Sequence, residues 1–96
     1  MKAYAPHGKT IEKVAVVGGA GKDFLYDAAP LCDAYVTADL SHNSFIDARV
    51  LGVAIFDAGH YYTENPVIFE IAKRLGENFP EANVSTADSL CPYELI

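Results

Sequence analysis

Three short apolar runs restrict this chain more than anything else in it: Val14-Ala15-Val16-Val17, Ala34-Tyr35-Val36-Thr37 and Val53-Ala54-Ile55-Phe56. Each is continuous rather than alternating and rich in β-branched or aromatic residues. That is the pattern of strands covered on both faces, as in parallel sheets. Between the runs the apolar residues change to helical spacing. Phe24, Leu25 and Ala28 recur that way after Lys22, with Pro30 expected to end the helix near Ala29. Phe45, Ile46, Val50 and Leu51 do so after Ser41, a natural N-cap, and before Gly52.

A third helix is expected from near Pro66, a residue suited to the first helical turn, to about Phe79. Ile68, Ile71, Ala72, Leu75 and Phe79 form its apolar stripe, with Glu70, Lys73, Arg74, Glu77 and Asn78 turned to water. Asn83-Val84-Ser85-Thr86 reads as a fourth strand, followed by a tail containing Pro92. Residues 1–12, with Pro6 and Gly8, read as a polar lead-in, and His7 within them as a solvated histidine. Strand and helix alternating in this way predict an α/β fold. The expected architecture is a mostly parallel four-stranded sheet with right-handed helical crossovers, layered as an α/β sandwich over residues 13–96.

A chain of 96 residues makes one small domain. Its 51% hydrophobic content is high for that size, so part of the apolar surface is expected to meet another surface. The formal charge of −6, with no Lys/Arg cluster, lacks the electrostatic footprint of a nucleic-acid binder. Cys32 and Cys91 lie far apart, without CxxC spacing, and read as reduced, partly buried thiols. No apolar run approaches the roughly 20 residues needed to cross a bilayer. The start of the chain lacks the apolar segment of a signal peptide, and a cytoplasmic location is expected.

The chemistry-bearing residues gather where strands are expected to end. Gly18-Gly19-Ala20-Gly21 follows the first run, with Asp39 about 20 residues on, as in a dinucleotide fingerprint. The pattern is incomplete, since Phe24 occupies the third glycine position, and Lys22 does not complete a P-loop. Two readings stay open: glycines that allow a tight turn, or amides that cradle an anion. Asp39 and His42 bracket the second strand end, where an Asp can cap a helix or act in a site. His60 and Glu64, four residues apart after Asp57-Ala58-Gly59, can converge above the sheet on a divalent cation. Asp57 is placed to fix loop amides or support such a site from behind. Tyr61 and Tyr62 read as packing residues. Two ligands do not make a metal site, so further donors must come from elsewhere.

Three ordered stretches together resemble the C-terminal part of the Nif-three-like family, whose members are often labelled GTP cyclohydrolase I type 2 homologues. They are Val14 to Gly21, Val36-Thr37-Ala38-Asp39-Leu40-Ser41-His42, and Asp57 to Glu64, in a likeness that covers residues 12–92. The resemblance implies a dinuclear metal site shared between two halves of a longer protein. The C-terminal half supplies the His and Glu that match His60 and Glu64, and an N-terminal half a His-His pair and an Asp. It further implies divalent ions (zinc, iron, manganese or magnesium), ring-shaped self-association, and a metal-dependent hydrolase acting on a cyclic or phosphorylated small molecule. This chain contains no His-His motif and reads Ser41-His42-Asn43 where the family often has Ser-His-His. Alone it is therefore expected to be inactive, a contributor of half a site. A non-catalytic oligomerisation or regulatory domain is the alternative.

Overall fold

The β-branched runs do become strands, and they pair in parallel. The computed structural model describes residues Met1–Ile96. Strand β2 (Val14–Ala20) pairs with β3 (Ala34–Ala38), and β3 pairs with β4 (Ala54–Asp57). The fourth strand is not the one expected. It is β1 (Lys2–Tyr4), which lies antiparallel against the outer edge of β4, so the sheet order is β1-β4-β3-β2. The sheet is thus mixed, not the mostly parallel one expected, and residues 83–86 form no strand. A three-residue edge strand at the very start carries too short a pattern to be read, and it closes the edge of β4 to any other strand.

The pleat explains where the core lies. Register aligns Ala15, Tyr35, Ile55 and Tyr4 in one row across the sheet. Tyr35 and Ile55 are fully buried there, packed with Leu25, Leu40, Ala48 and Val53. Leu25 comes from helix α1 (Leu25–Ala28), a single turn between two 3-10 turns, Lys22–Phe24 and Ala29–Leu31. The α-helix ends at Ala28, ahead of Pro30 as expected, and Pro30 itself sits inside the last of these turns. Ala48 comes from helix α2 (His42–Leu51). Ser41 caps it by accepting the Ser44 N–H, and Gly52 ends it in the left-handed conformation, φ 71°.

The next row of the pleat, Val16, Val36, Phe56 and Ala3, points the other way. Val16 is 66% exposed there and Val14 is 55% exposed. The third expected helix is present as α4 (Pro66–Asn78), and a short further helix, α3 (His60–Glu64), precedes it. No residue of α4 is buried, and its stripe of Ile68, Ile71, Leu75 and Phe79 lies open. The radius of gyration is 16.4 Å, against about 13 Å for a compact 100-residue domain, because α4 and the segment after it leave the body. Only 13 of 96 residues are buried, so the chain carries a small core and two uncovered apolar faces. No helix is long and apolar enough to cross a membrane.

Candidate metal centre

The C-terminal ends of β2, β3 and β4 meet at one edge, the end at which open α/β sheets bind ligands. Asp57 closes β4 there, and its carboxylate holds the two neighbouring loops. Oδ2 accepts the Leu40 N–H at 3.1 Å, and Oδ1 accepts the Gly59 N–H at 3.3 Å. Lys2 of β1 lies 3.5 Å from the same carboxylate. Gly59 then turns the chain with φ 89°, a backbone state that favours glycine, and α3 begins at His60.

One helical turn puts His60 and Glu64 on the same face. His60 Nε2 lies 3.0 Å from Glu64 Oε2, and both side chains are about half exposed. The second ring nitrogen is also engaged: Asp39 Oδ2, from the end of β3, lies 2.5 Å from His60 Nδ1. Asp39 reaches it from a left-handed backbone, φ 55°, the only residue other than glycine with positive φ. The Asp39 hydrogen bond raises the His60 pKa above its ordinary value; desolvation opposes the rise, and the charges of Glu64 and Asp39 add to it.

Beneath the pair runs the glycine segment of β2. A side chain at Gly19 would collide with the Glu64 carboxylate, and its Cβ would come within 3.1 Å of His60 Nε2. The space over Gly19 is therefore a cradle already filled by the two donor atoms. An imidazole nitrogen and a carboxylate oxygen at this separation suit zinc, iron or manganese, and the carboxylate on Nδ1 is the usual support of a metal-binding histidine. The residues fit part of a metal site and not a whole one, since no three His, Cys, Asp or Glu side chains converge to hold an ion.

The structure thus brings together His60, Glu64 and Asp39 from the residues singled out in the sequence. His42 is left aside, exposed at the first position of α2 and absent from the ion pairs of the site. Tyr61 and Tyr62 meet edge to face with centroids 5.4 Å apart, and the Tyr61 hydroxyl donates to the Ser89 carbonyl at 2.6 Å. Tyr61 and Ser89 both line an open groove of about 1080 Å³ beside His60 and Glu64, walled by Ile68 and Phe69 of α4 and by residues 85–90. Sequence reasoning missed Thr63. Its hydroxyl accepts the Gly19 N–H at 2.9 Å and so ties α3 to β2. Only the HxxxE pair around it hinted that its surroundings mattered.

Comparison with known proteins agrees with this architecture. The family model for Duf34/NIF3 (NGG1p interacting factor 3) matches residues 1–90. The chain is 34% identical over 91 residues to a GTP cyclohydrolase 1 type 2 homolog of Clostridium perfringens, covering 92% of this chain and 35% of that protein. It is 36% identical over 79 residues to the homolog of the same name from Pyrococcus abyssi, covering 82% of this chain and 32% of that one. Among solved structures, the Staphylococcus aureus protein SA1388 superposes with a TM-score of 0.82 at 25% identity, over 99% of this chain and 29% of its own. Reduced HcgD from Methanocaldococcus jannaschii gives a TM-score of 0.60 at 34% identity, over 69% of this chain and 27% of its own. The chain spans about a third of the length of the curated relatives it matches. It belongs to the Duf34/NIF3 family.

Proposed function

We propose that this chain contributes His60 and Glu64 to a dinuclear divalent-metal site of a metal-dependent hydrolase acting on a cyclic or phosphorylated small molecule. The observation that carries the reading is the pair itself: His60 Nε2 and Glu64 Oε2 stand 3.0 Å apart over Gly19, with Asp39 behind the imidazole. Zinc, iron, manganese or magnesium would be the ion, and zinc, iron and manganese match the nitrogen–oxygen donor set better than magnesium. When bound, a divalent cation supplies Lewis-acid polarisation of the substrate and activation of water. The chain's own residues do the rest. His60 and Glu64 hold the ion, Asp39 fixes the imidazole ring and its tautomer, and Asp57 fixes the loops that carry Asp39 and His60.

The remaining donors come, on this reading, from an N-terminal half of a longer protein, of which this chain matches the C-terminal half. The cyclohydrolase in the names of these relatives is compatible with hydrolysis of a cyclic substrate. The uncovered row of β2 and the open stripe of α4 support association with that half or with a second copy, which would also complete a layered α/β sandwich. The same two faces favour the second reading, a non-catalytic domain for oligomerisation. Metal analysis of the full-length protein separates the two. The hydrolase reading predicts bound divalent metal that His60→Ala removes, and unchanged metal content in His60→Ala would sink it.

A further inference from the structure

The glycine segment Gly18-Gly19-Ala20-Gly21 resembles a phosphate-cradling turn, yet its polar groups are already committed. The Gly19 N–H goes to Thr63 Oγ1 at 2.9 Å, and the Gly21 N–H to Thr37 Oγ1 at 2.9 Å. Thr37 Oγ1 in turn donates to the Gly19 carbonyl at 2.9 Å, and the Tyr35 hydroxyl donates to the Gly21 carbonyl at 2.6 Å. Thr37 and Tyr35 are both fully buried. Gly19 and Gly21 are buried as well, so an anion has neither free amides nor open space at these two positions. The register of β2 against β3 shifts between Val16 and Ala20, which is where this network grips the strand.

What the network holds in place is a bare patch of backbone. A Cβ at Gly18 would stand 3.0 Å from the Thr63 carbonyl oxygen, so α3 rests directly on β2. At Gly19 the obstacle is not backbone but the Glu64 carboxylate and the His60 ring. Gly19 is also left-handed, φ 69°. We infer that Gly19 is a positioning residue: its missing side chain forms the floor on which His60 and Glu64 converge, and Thr63 fastens that floor to the helix carrying both. The inference rests on the metal reading above and assigns the glycine motif to ligand placement rather than to nucleotide binding.

A substitution at Gly19 has two effects, backbone strain and occupation of the cradle, and the fold supplies a control that separates them. Gly52 also has a positive φ, 71°, but a Cβ there meets nothing within 4 Å. Gly19→Ala and Gly52→Ala therefore both put a side chain on a positive-φ backbone, and only Gly19→Ala fills the site. The experiment is calorimetric titration of the metal-free full-length protein with zinc, paired with the visible absorption of its cobalt(II) form. Gly19→Ala is expected to weaken zinc binding at least tenfold, on the order of the loss seen when a ligand's support is removed, and to change the cobalt spectrum. Gly52→Ala is expected to match the parent in both. Should Gly19→Ala fail to fold, Thr63→Val carries the test. It is expected to weaken zinc binding and change the cobalt spectrum, with Thr63→Ser restoring both.

Wild-type zinc affinity and cobalt spectrum in Gly19→Ala, with affinity lost in His60→Ala, would overturn the floor and leave the metal reading standing. Wild-type affinity in His60→Ala would overturn the metal reading and this inference with it. Equal losses in Gly19→Ala and Gly52→Ala would assign the effect to backbone strain and overturn the floor alone.

Discussion

Asp39 and His60 are 21 residues apart in sequence and meet carboxylate to imidazole, Oδ2 to Nδ1, at 2.5 Å. The contact joins the end of β3 to the start of α3 and leaves His60 Nε2 as the ring nitrogen that faces Glu64. Asp39 makes it from a backbone conformation that glycine adopts more easily, φ 55°. The two roles can be separated. Asp39→Gly is expected to keep or raise the thermal midpoint, because the backbone strain is relieved, while zinc affinity falls by roughly ten- to a hundredfold. A circular-dichroism melt and a zinc titration on the same sample check both halves, and unchanged affinity would remove Asp39 from the site.

A second carboxylate acts on the fold alone. Asp33 Oδ2 accepts the N–H groups of Glu12 and Lys13 at 3.0 and 2.9 Å, and its own N–H returns to the Lys13 carbonyl at 2.8 Å. These bonds bind the chain ahead of β2 to the start of β3. The Lys13 and Glu12 amides hold the Asp33 pKa below its ordinary value. A depressed folded pKa means that the contribution is present above the unfolded value, about 3.9, and is lost as pH falls through the lower folded value. Asp33→Asn should lower the urea midpoint at pH 7 and shrink the loss of stability on acidification below about pH 4. An acid limb identical to wild type would contradict this account.

The strands that build the site were legible in the sequence because each is a continuous apolar run closed by a glycine or an acid. Helix α2 was legible through Ser41 and Gly52, which cap it as expected. Lys2–Tyr4 was not, because three residues at an exposed edge give no period to read, whereas Val84 among polar neighbours imitates one. Helix α4 starts at Pro66 as expected, whereas α3 ahead of it was hidden, since the five residues His60–Glu64 are too few to show an apolar stripe. His60 and Glu64 were visible from spacing. The pairing of His60 with Asp39 was not, because it depends on strand order and on the left-handed backbone of Asp39. Thr63 and the floor at Gly19 emerge only when α3 is laid across β2.

The open faces make their own prediction. Ile71 and Leu75 are 48% and 43% exposed, and no residue of α4 is buried, so a charge there costs the isolated fold little. An isolated helix of 13 residues is marginal in water, so α4 needs a covering surface. Ile71→Glu with Leu75→Glu should leave the far-ultraviolet spectrum of the body intact and dissociate the assembly proposed above for the full-length protein. Sedimentation velocity reads the outcome. An unchanged assembly would mean that α4 is not part of the interface.

The central claim is that His60 and Glu64 hold a metal. Anomalous X-ray diffraction from crystals of the full-length protein grown with zinc tests it without reference to any substrate. The account predicts a zinc peak at roughly 2.0–2.2 Å from both His60 Nε2 and a Glu64 carboxylate oxygen, absent from crystals of His60→Ala. A fully occupied zinc site elsewhere in the protein, with His60 and Glu64 still facing each other alone, would contradict it.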